Sequence, residues 1–146
     1  MPWQGTDPAD WAERTKKLMT ALLRNSVQAL AREASSTIPN GGRVPVKTSN
    51  LSRSVVIDDK PPPMDAEGII HTVGQDFSLG VANIHPGEPV YIGWTARYAR
   101  RVNYGFVGTD SLGRTYNQSG FGFAEATAAK WPAIVAQEAA KIAGRG

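Results

Sequence analysis

The stretch Asp7–Ser35, DPADWAERTKKLMTALLRNSVQALAREAS, decides the fold class, because it runs 28 positions from Pro8 to Ser35 without an internal glycine or a second proline. Asp7 can accept from free N–H groups at a helix start, Pro8 suits the first helical position, and Asp10 complements the positive end of the helix dipole. Trp11, Leu18, Leu22 and Ala29 recur at helical spacing, and Met19, Leu23, Val27, Leu30 and Ala34 form a second row beside them. Two adjoining rows predict an apolar face wider than docking on one sheet requires. Arg14, Lys17, Arg24, Gln28 and Arg32 mark a mostly basic opposite side. A helix over 7–35 follows, preceded by a short tail at 1–6.

Outward from that helix the pattern changes. Pro39 and Gly41-Gly42 stop it, and 41–50 reads as an irregular, mildly basic stretch. Four short runs then have strand character: Ser54–Ile57, Gly68–Val73, Phe77–Val81 and Glu88–Trp94. Pro61-Pro62-Pro63 lacks amide donors and makes a surface connector after the first of them. Turn residues between the runs predict an antiparallel meander, so that 51–104 is mostly strand. Thr95–Val102 reads equally as a helical turn or a twisted strand. Residues 105–122 hold five glycines among polar residues and read as a long loop. A closing helix spans 123–143 with Ala124, Ala128, Trp131, Val135 and Ile142 on one face, and Pro132 predicts a kink or a restart. The expected architecture is a single α+β domain over 1–146: a long N-terminal helix, one antiparallel sheet of about four strands, a Gly-rich loop, and a C-terminal helix on the sheet.

The composition bounds function. At 146 residues and 15.7 kDa the chain has one domain's length, and its 41% hydrophobic content argues against full disorder. No apolar run approaches the roughly 20 residues that span a bilayer, and Met1–Gln4 has no secretory pattern, so the expectation is synthesis in the cytoplasm. With no cysteine, disulfides, thiol nucleophiles and thiolate metal sites are excluded. Net charge is +3, unevenly spread: residues 61–90 hold four acids and no Lys or Arg, while the flanks are basic. Complementary segments of this kind suit self-association or passage beside a polyanion; the alternative is that they are solvated and paired within the fold.

Chemistry-bearing motifs are sparse. His71 lies in a strand pattern and His85 in a Pro/Gly loop, neither with a partner at ligand spacing, so no metal is expected. Asp58-Asp59 and Asp65/Glu67 flank the triproline and read as solvated rather than as acid–base pairs. Gly120-Phe121-Gly122 is a fragment of a dinucleotide fingerprint without its strand–turn–helix setting, and Lys47-Thr48 lacks a phosphate loop. No nucleophile elbow is present. These readings predict neither enzyme activity nor a cofactor. Arg97-Tyr98-Ala99-Arg100-Arg101 interleaves basic and aromatic residues in a way that can grip nucleic acid, or leaves Tyr98 and Val102 inward and the arginines solvated or facing a neighbouring subunit. Trp11, Trp131 and Trp94 are expected in the core.

Two segments carry a resemblance. Lys47-Thr48-Ser49-Asn50-Leu51-Ser52-Arg53-Ser54-Val55 is similar to a Thr-Gly-x-Leu-x-x-Ser-hydrophobic entry into a first strand. Tyr98-Ala99-Arg100-Arg101-Val102-Asn103-Tyr104-Gly105-Phe106, followed by Gly122-Phe123-Ala124 and the Trp131 helix, is similar to a Tyr-Ala-x-x-hydrophobic-Glu-aromatic-Gly block with its loop and closing helix. Together they resemble the small tail-completion and head–tail neck proteins of long-tailed bacteriophages, the group that includes minor tail protein Z. Two positions depart: Asn50 stands for the glycine, displacing the turn by one residue, and Asn103 stands where Glu is common.

The resemblance implies a structural virion protein, not an enzyme, that forms a ring at the tail top or neck, where tail completion, tail termination and head–tail connection share similar small folds. Its expected partners are copies of itself, a hexamer by the family's symmetry, together with adjacent connector and tail-tube proteins. DNA would pass through the lumen without sequence-specific binding, and no membrane is involved. Expected interface residues are Arg97, Arg100, Arg101, Asn103, Tyr104, Phe106 and Tyr116, with Arg43 and Lys47 towards the lumen. The competing reading is a small basic nucleic-acid-binding module built on Arg97, Arg100, Arg101 and Arg43. A hydrolase would instead need a pocket at His71 or His85.

Overall fold

A computed structural model describes residues 7–42, 44–45, 49–109, 112–113 and 115–145. Helix α1 (Pro8–Ser35) starts as its sequence dictates: the Asp7 carboxylate accepts from the Ala9 N–H at 2.9 Å and Pro8 opens the first turn. Burial along it is graded. Ser26, Val27, Ala31 and Ala34 are buried, whereas Trp11, Leu18 and Met19 lie in water. The expectation that Trp11 belongs to the core is therefore corrected. A 28-residue helix is about 42 Å long, and the four-residue strands it packs on cover only about 13 Å.

Strands β1 (Val55–Asp58) and β2 (Tyr91–Trp94) pair antiparallel, with Val55 opposite Trp94 and Ile57 opposite Ile92. Val55 and Ile57 bury one face of the ribbon against α1. The domain is α+β, but the single four-stranded meander is replaced by two separate two-stranded ribbons. The two middle runs are not strands. Over Gly68–Val73 the His71 N–H donates to the Asn50 side chain, and the Ile69 N–H closes a turn on the Ala66 carbonyl. Phe77–Gly80 forms a one-turn helix, α3, because Asp76 accepts from the Ser78 N–H and hydroxyl and so fixes a helical start. Pro89 cannot donate to a ladder, and pairing begins only at Tyr91.

The remaining elements are short helices and a hairpin. Asn50–Arg53 makes helix α2 and Ala99–Tyr104 makes helix α4, so the second half of the ambiguous 95–102 stretch is helical and its first half is turn and irregular backbone. The expected loop at 105–122 contains a hairpin instead: β3 (Gly105–Thr109) pairs with β4 (Thr115–Ser119), with Gly108 opposite Tyr116. Two helices close the chain, α5 (Phe123–Ala128) and α6 (Trp131–Arg145), and the restart puts Pro132 in the first turn, where a missing N–H leaves no bond unmade. Helix α6 packs along α1, and Lys130 forms an ion pair with Glu33 of α1.

Two buried clusters meet at one residue. Val27, Ala31, Ala34, Val55, Ile57, Val81 and Ile84 form the larger, and Val44, Leu51, Ala96, Ala99 and Phe123 the smaller. Trp94 packs on both. Its indole N–H donates to the Ala34 carbonyl at 3.1 Å, and its ring meets Phe123 edge-on at 4.8 Å between centroids.

Candidate assembly surface

The segment of the expected interface folds as α4 followed directly by the β3–β4 hairpin. Asn103 of α4 anchors this unit from below to α5. Its side chain is 5% exposed, its carbonyl accepts from the Ala124 N–H at 2.9 Å, and its amide donates to both carboxylate oxygens of Glu125 at 3.0 and 3.2 Å. The Asn103 amide is the main reason that the Glu125 carboxyl lies below its usual range, with the Tyr104 hydroxyl contributing in the same direction. That bond to Glu125 in turn holds the Tyr104 phenol above its ordinary range. Phe121 and Gly122 then donate their N–H groups to the Val102 and Asn103 carbonyls, so both ends of the hairpin are fastened to α4.

This network separates the expected interface residues. Arg97, Arg100, Arg101 and Tyr104 are exposed on or beside α4. Arg97 also reaches the Asp65 carbonyl at 3.4 Å. Val107 on β3 is 76% exposed. Asn103, by contrast, faces inward and holds α4 to α5. The backbones of Phe106 and Tyr116 lie in β3 and β4, while their side chains, and all of Arg43 and Lys47, fall outside the described residues.

A second constellation was not visible in the linear spacing. His71 Nε2 lies 2.6 Å from Asp65 Oδ2 and 3.4 Å from the Thr95 hydroxyl, and Asp65 itself donates its N–H to the Thr95 carbonyl at 2.8 Å. Asn50 accepts from the His71 N–H and donates to the Tyr98 hydroxyl at 3.3 Å. The turn at Ala66–Gly68 brings the two titratable groups together, and Glu67-Gly68 was the available signal for it. The effect is to fasten a segment outside both sheets onto α2 and onto Thr95, just after β2. Beside it opens a cleft of about 260 Å³ lined by Asn50, Asp65, Ile69, Ile70, Arg97 and Tyr98 among others.

Among the described residues no group of three His, Asp or Glu side chains converges as metal ligands would, and no helix is long and apolar enough to cross a membrane. His85 is exposed in its loop. Asp58 and Asp76 are both held below the usual carboxylate range, Asp58 by bonds from Asp59 and Asp76 by the hydroxyl and N–H of Ser78. These are turn-forming carboxylates rather than proton donors at neutral pH. No protein-family model, curated protein or solved structure matches the chain.

Proposed function

We propose that this chain is a structural subunit of a phage particle, assembling through copies of itself into a ring, six-fold by the family resemblance, at the tail top or head–tail junction. The observation that carries this reading is the amount of apolar side chain left in water at separate places on one small domain. Trp11, Leu18 and Met19 lie on the first half of α1, Tyr104 and Val107 on α4 and the hairpin, and Ile69, Ile70 and Val73 on the segment after the triproline. A ring needs a heterologous interface, in which two different surfaces of one subunit meet, repeated until it closes. Several apolar surfaces flanked by unlike charge are the materials for such an interface. The Tyr98–Phe106 and Lys47–Val55 resemblances support the same reading from the sequence side. The partners on either face of the ring would be a connector protein and the tail tube, with DNA crossing the lumen.

Electron microscopy of the purified chain, run beside a salt-titrated DNA shift assay, tests the proposal. A closed ring with an axial hole and no salt-sensitive DNA affinity is the expected result. A monomer whose DNA binding falls steeply between low and physiological salt would establish the nucleic-acid-binding module in its place.

A further inference from the structure

We infer that the cleft beside the His71–Asp65 clasp takes the C-terminal residue of a polypeptide, with its α-carboxylate on Arg97 and Tyr98 and its apolar side chain on Ile69 and Ile70; this goes beyond the assembly reading and does not depend on it. The cleft holds about 260 Å³. That is below the roughly 300–1,000 Å³ of sites that enclose drug-sized ligands, and it suits one residue-sized group. Its polar side is already fixed. Asn50, only 6% exposed, accepts from the His71 N–H at 2.6 Å and donates to the Tyr98 hydroxyl oxygen at 3.3 Å. Little ordering of the site is therefore left to the moment of binding.

The lining chooses the ligand. Arg97 is exposed, and its guanidinium reaches only the Asp65 main-chain carbonyl, at 3.4 Å, with no carboxylate within ion-pair distance among the described residues. The Tyr98 oxygen accepts from Asn50, which leaves the phenol proton to donate. A carboxylate can take both donors, and the planar guanidinium matches its two oxygens. Asp65 lines the same cleft. Its Oδ2 is held by His71 Nε2 at 2.6 Å, while its Oδ1 makes no hydrogen bond among the described residues and can accept from an N–H. Ile69 and Ile70, 49% and 73% exposed, supply an apolar wall that an aliphatic or aromatic side chain covers. An α-carboxylate one carbon away from an amide N–H, with an apolar side chain on that carbon, meets every one of these groups, and the end of a polypeptide presents it. The rivals each fail on one of them. A phosphate dianion sets two negative charges beside Asp65. An internal peptide segment offers no charge to Arg97, and a hydrocarbon leaves both Arg97 and Asp65 desolvated without a partner. The ammonium of a free amino acid adds a cation beside Arg97 and gains little from Asp65, which already shares its charge with His71.

The test titrates the isotope-labelled full chain with N-acetyl-leucine, N-acetyl-leucinamide and leucine, followed through the amide shifts of Ile69, Ile70 and Tyr98. N-acetyl-leucine is expected to give saturable shifts with a Kd of about a millimolar. Replacing its carboxylate by the amide, or substituting Arg97→Gln, is expected to weaken binding at least about tenfold. Ile70→Asp is expected to weaken it as well, and because Arg97 and Ile70 are both exposed, each variant should keep the native spectrum away from the cleft. No saturable shift from N-acetyl-leucine, or equal binding of the leucinamide, would overturn the site. So would an affinity that Arg97→Gln leaves unchanged. Leucine that binds as tightly as its N-acetyl form would overturn the chain terminus in favour of a free amino acid. A native chain that is monomeric at every concentration, yet shows the expected titration, would reject the ring and uphold this site.

Discussion

Ser49 is, among the described residues, the one non-glycine with a left-handed backbone, at φ 63°. It precedes α2, and the hydrogen bonds that follow, Arg53 N–H to the Ser49 carbonyl and Ser54 N–H to the Leu51 carbonyl, depend on that turn. The left-handed turn thus falls at Ser49 and not at Asn50. Asn50 has other duties, holding His71 and Tyr98. A left-handed side-chain-bearing residue costs about 1–2 kcal/mol, partly offset by the greater chain entropy that glycine loses on folding. Ser49→Gly is therefore expected to raise stability by about 0.5–1 kcal/mol, and Ser49→Val to lower it by at least as much, read from urea midpoints. Asn103 offers the second test at this scale. Asn103→Ala leaves the Ala124 N–H without its partner and removes the two amide bonds to the Glu125 carboxylate, so stability is expected to fall at neutral pH. Because Glu125 has a depressed pKa in the folded chain, its contribution is complete above the ordinary glutamate range and disappears as falling pH protonates the folded carboxylate. The gap between native chain and variant should narrow below about pH 4 in thermal melts at a series of pH values. A gap that stayed constant down to pH 2 would assign Asn103 a packing role alone.

At the scale of elements, what was legible was what local physics decides. Asp7-Pro8 and an uninterrupted helical period placed α1, the β-branched run at Val55–Ile57 placed β1, and Pro132 placed the start of α6. What was not legible depended on partners distant in sequence. Gly68–Val73 has a strand's composition, yet its backbone groups are met by Asn50 and by a local turn, so it pairs with nothing. The hairpin at 105–119 was obscured because its glycines were read as loop, when at least one has a packing reason. A Cβ on Gly120 would lie 2.3 Å from the Asn103 carbonyl oxygen and 2.6 Å from the Tyr104 carbonyl carbon. Both are backbone atoms, so the hairpin can sit on α4 only if position 120 has no side chain. Gly120→Ala is expected to cost about 2 kcal/mol. It should also speed amide exchange at Phe121 and Gly122, whose N–H groups bond to Val102 and Asn103. Unchanged exchange there would mean that α4 and the hairpin are not held together in this way.

For the molecule as a whole, the sequence carried the sign and distribution of charge but not the surfaces they belong to. The basic row Arg14–Lys17 and the acidic 61–90 stretch were visible as composition. Only folding shows that each is interleaved with exposed apolar side chains, and that Trp11, read as core, stands outside it. The cause is geometric: a helix longer than the layer it packs on must leave some of a wide apolar face uncovered. The domain's core is small and divided, with Trp94 as the joint between its two clusters. A domain with this much apolar side chain left exposed has surface that burial against a neighbour would stabilise, which supports the assembly proposed above. The most direct test is to ask where the chain resides: quantitative mass spectrometry of purified phage particles from the source, with gold-labelled antibody to locate it. The account expects about six copies per particle, all at the head–tail junction or tail top. Its absence from intact particles, or its recovery only with unpackaged nucleic acid in the lysate, would contradict the account.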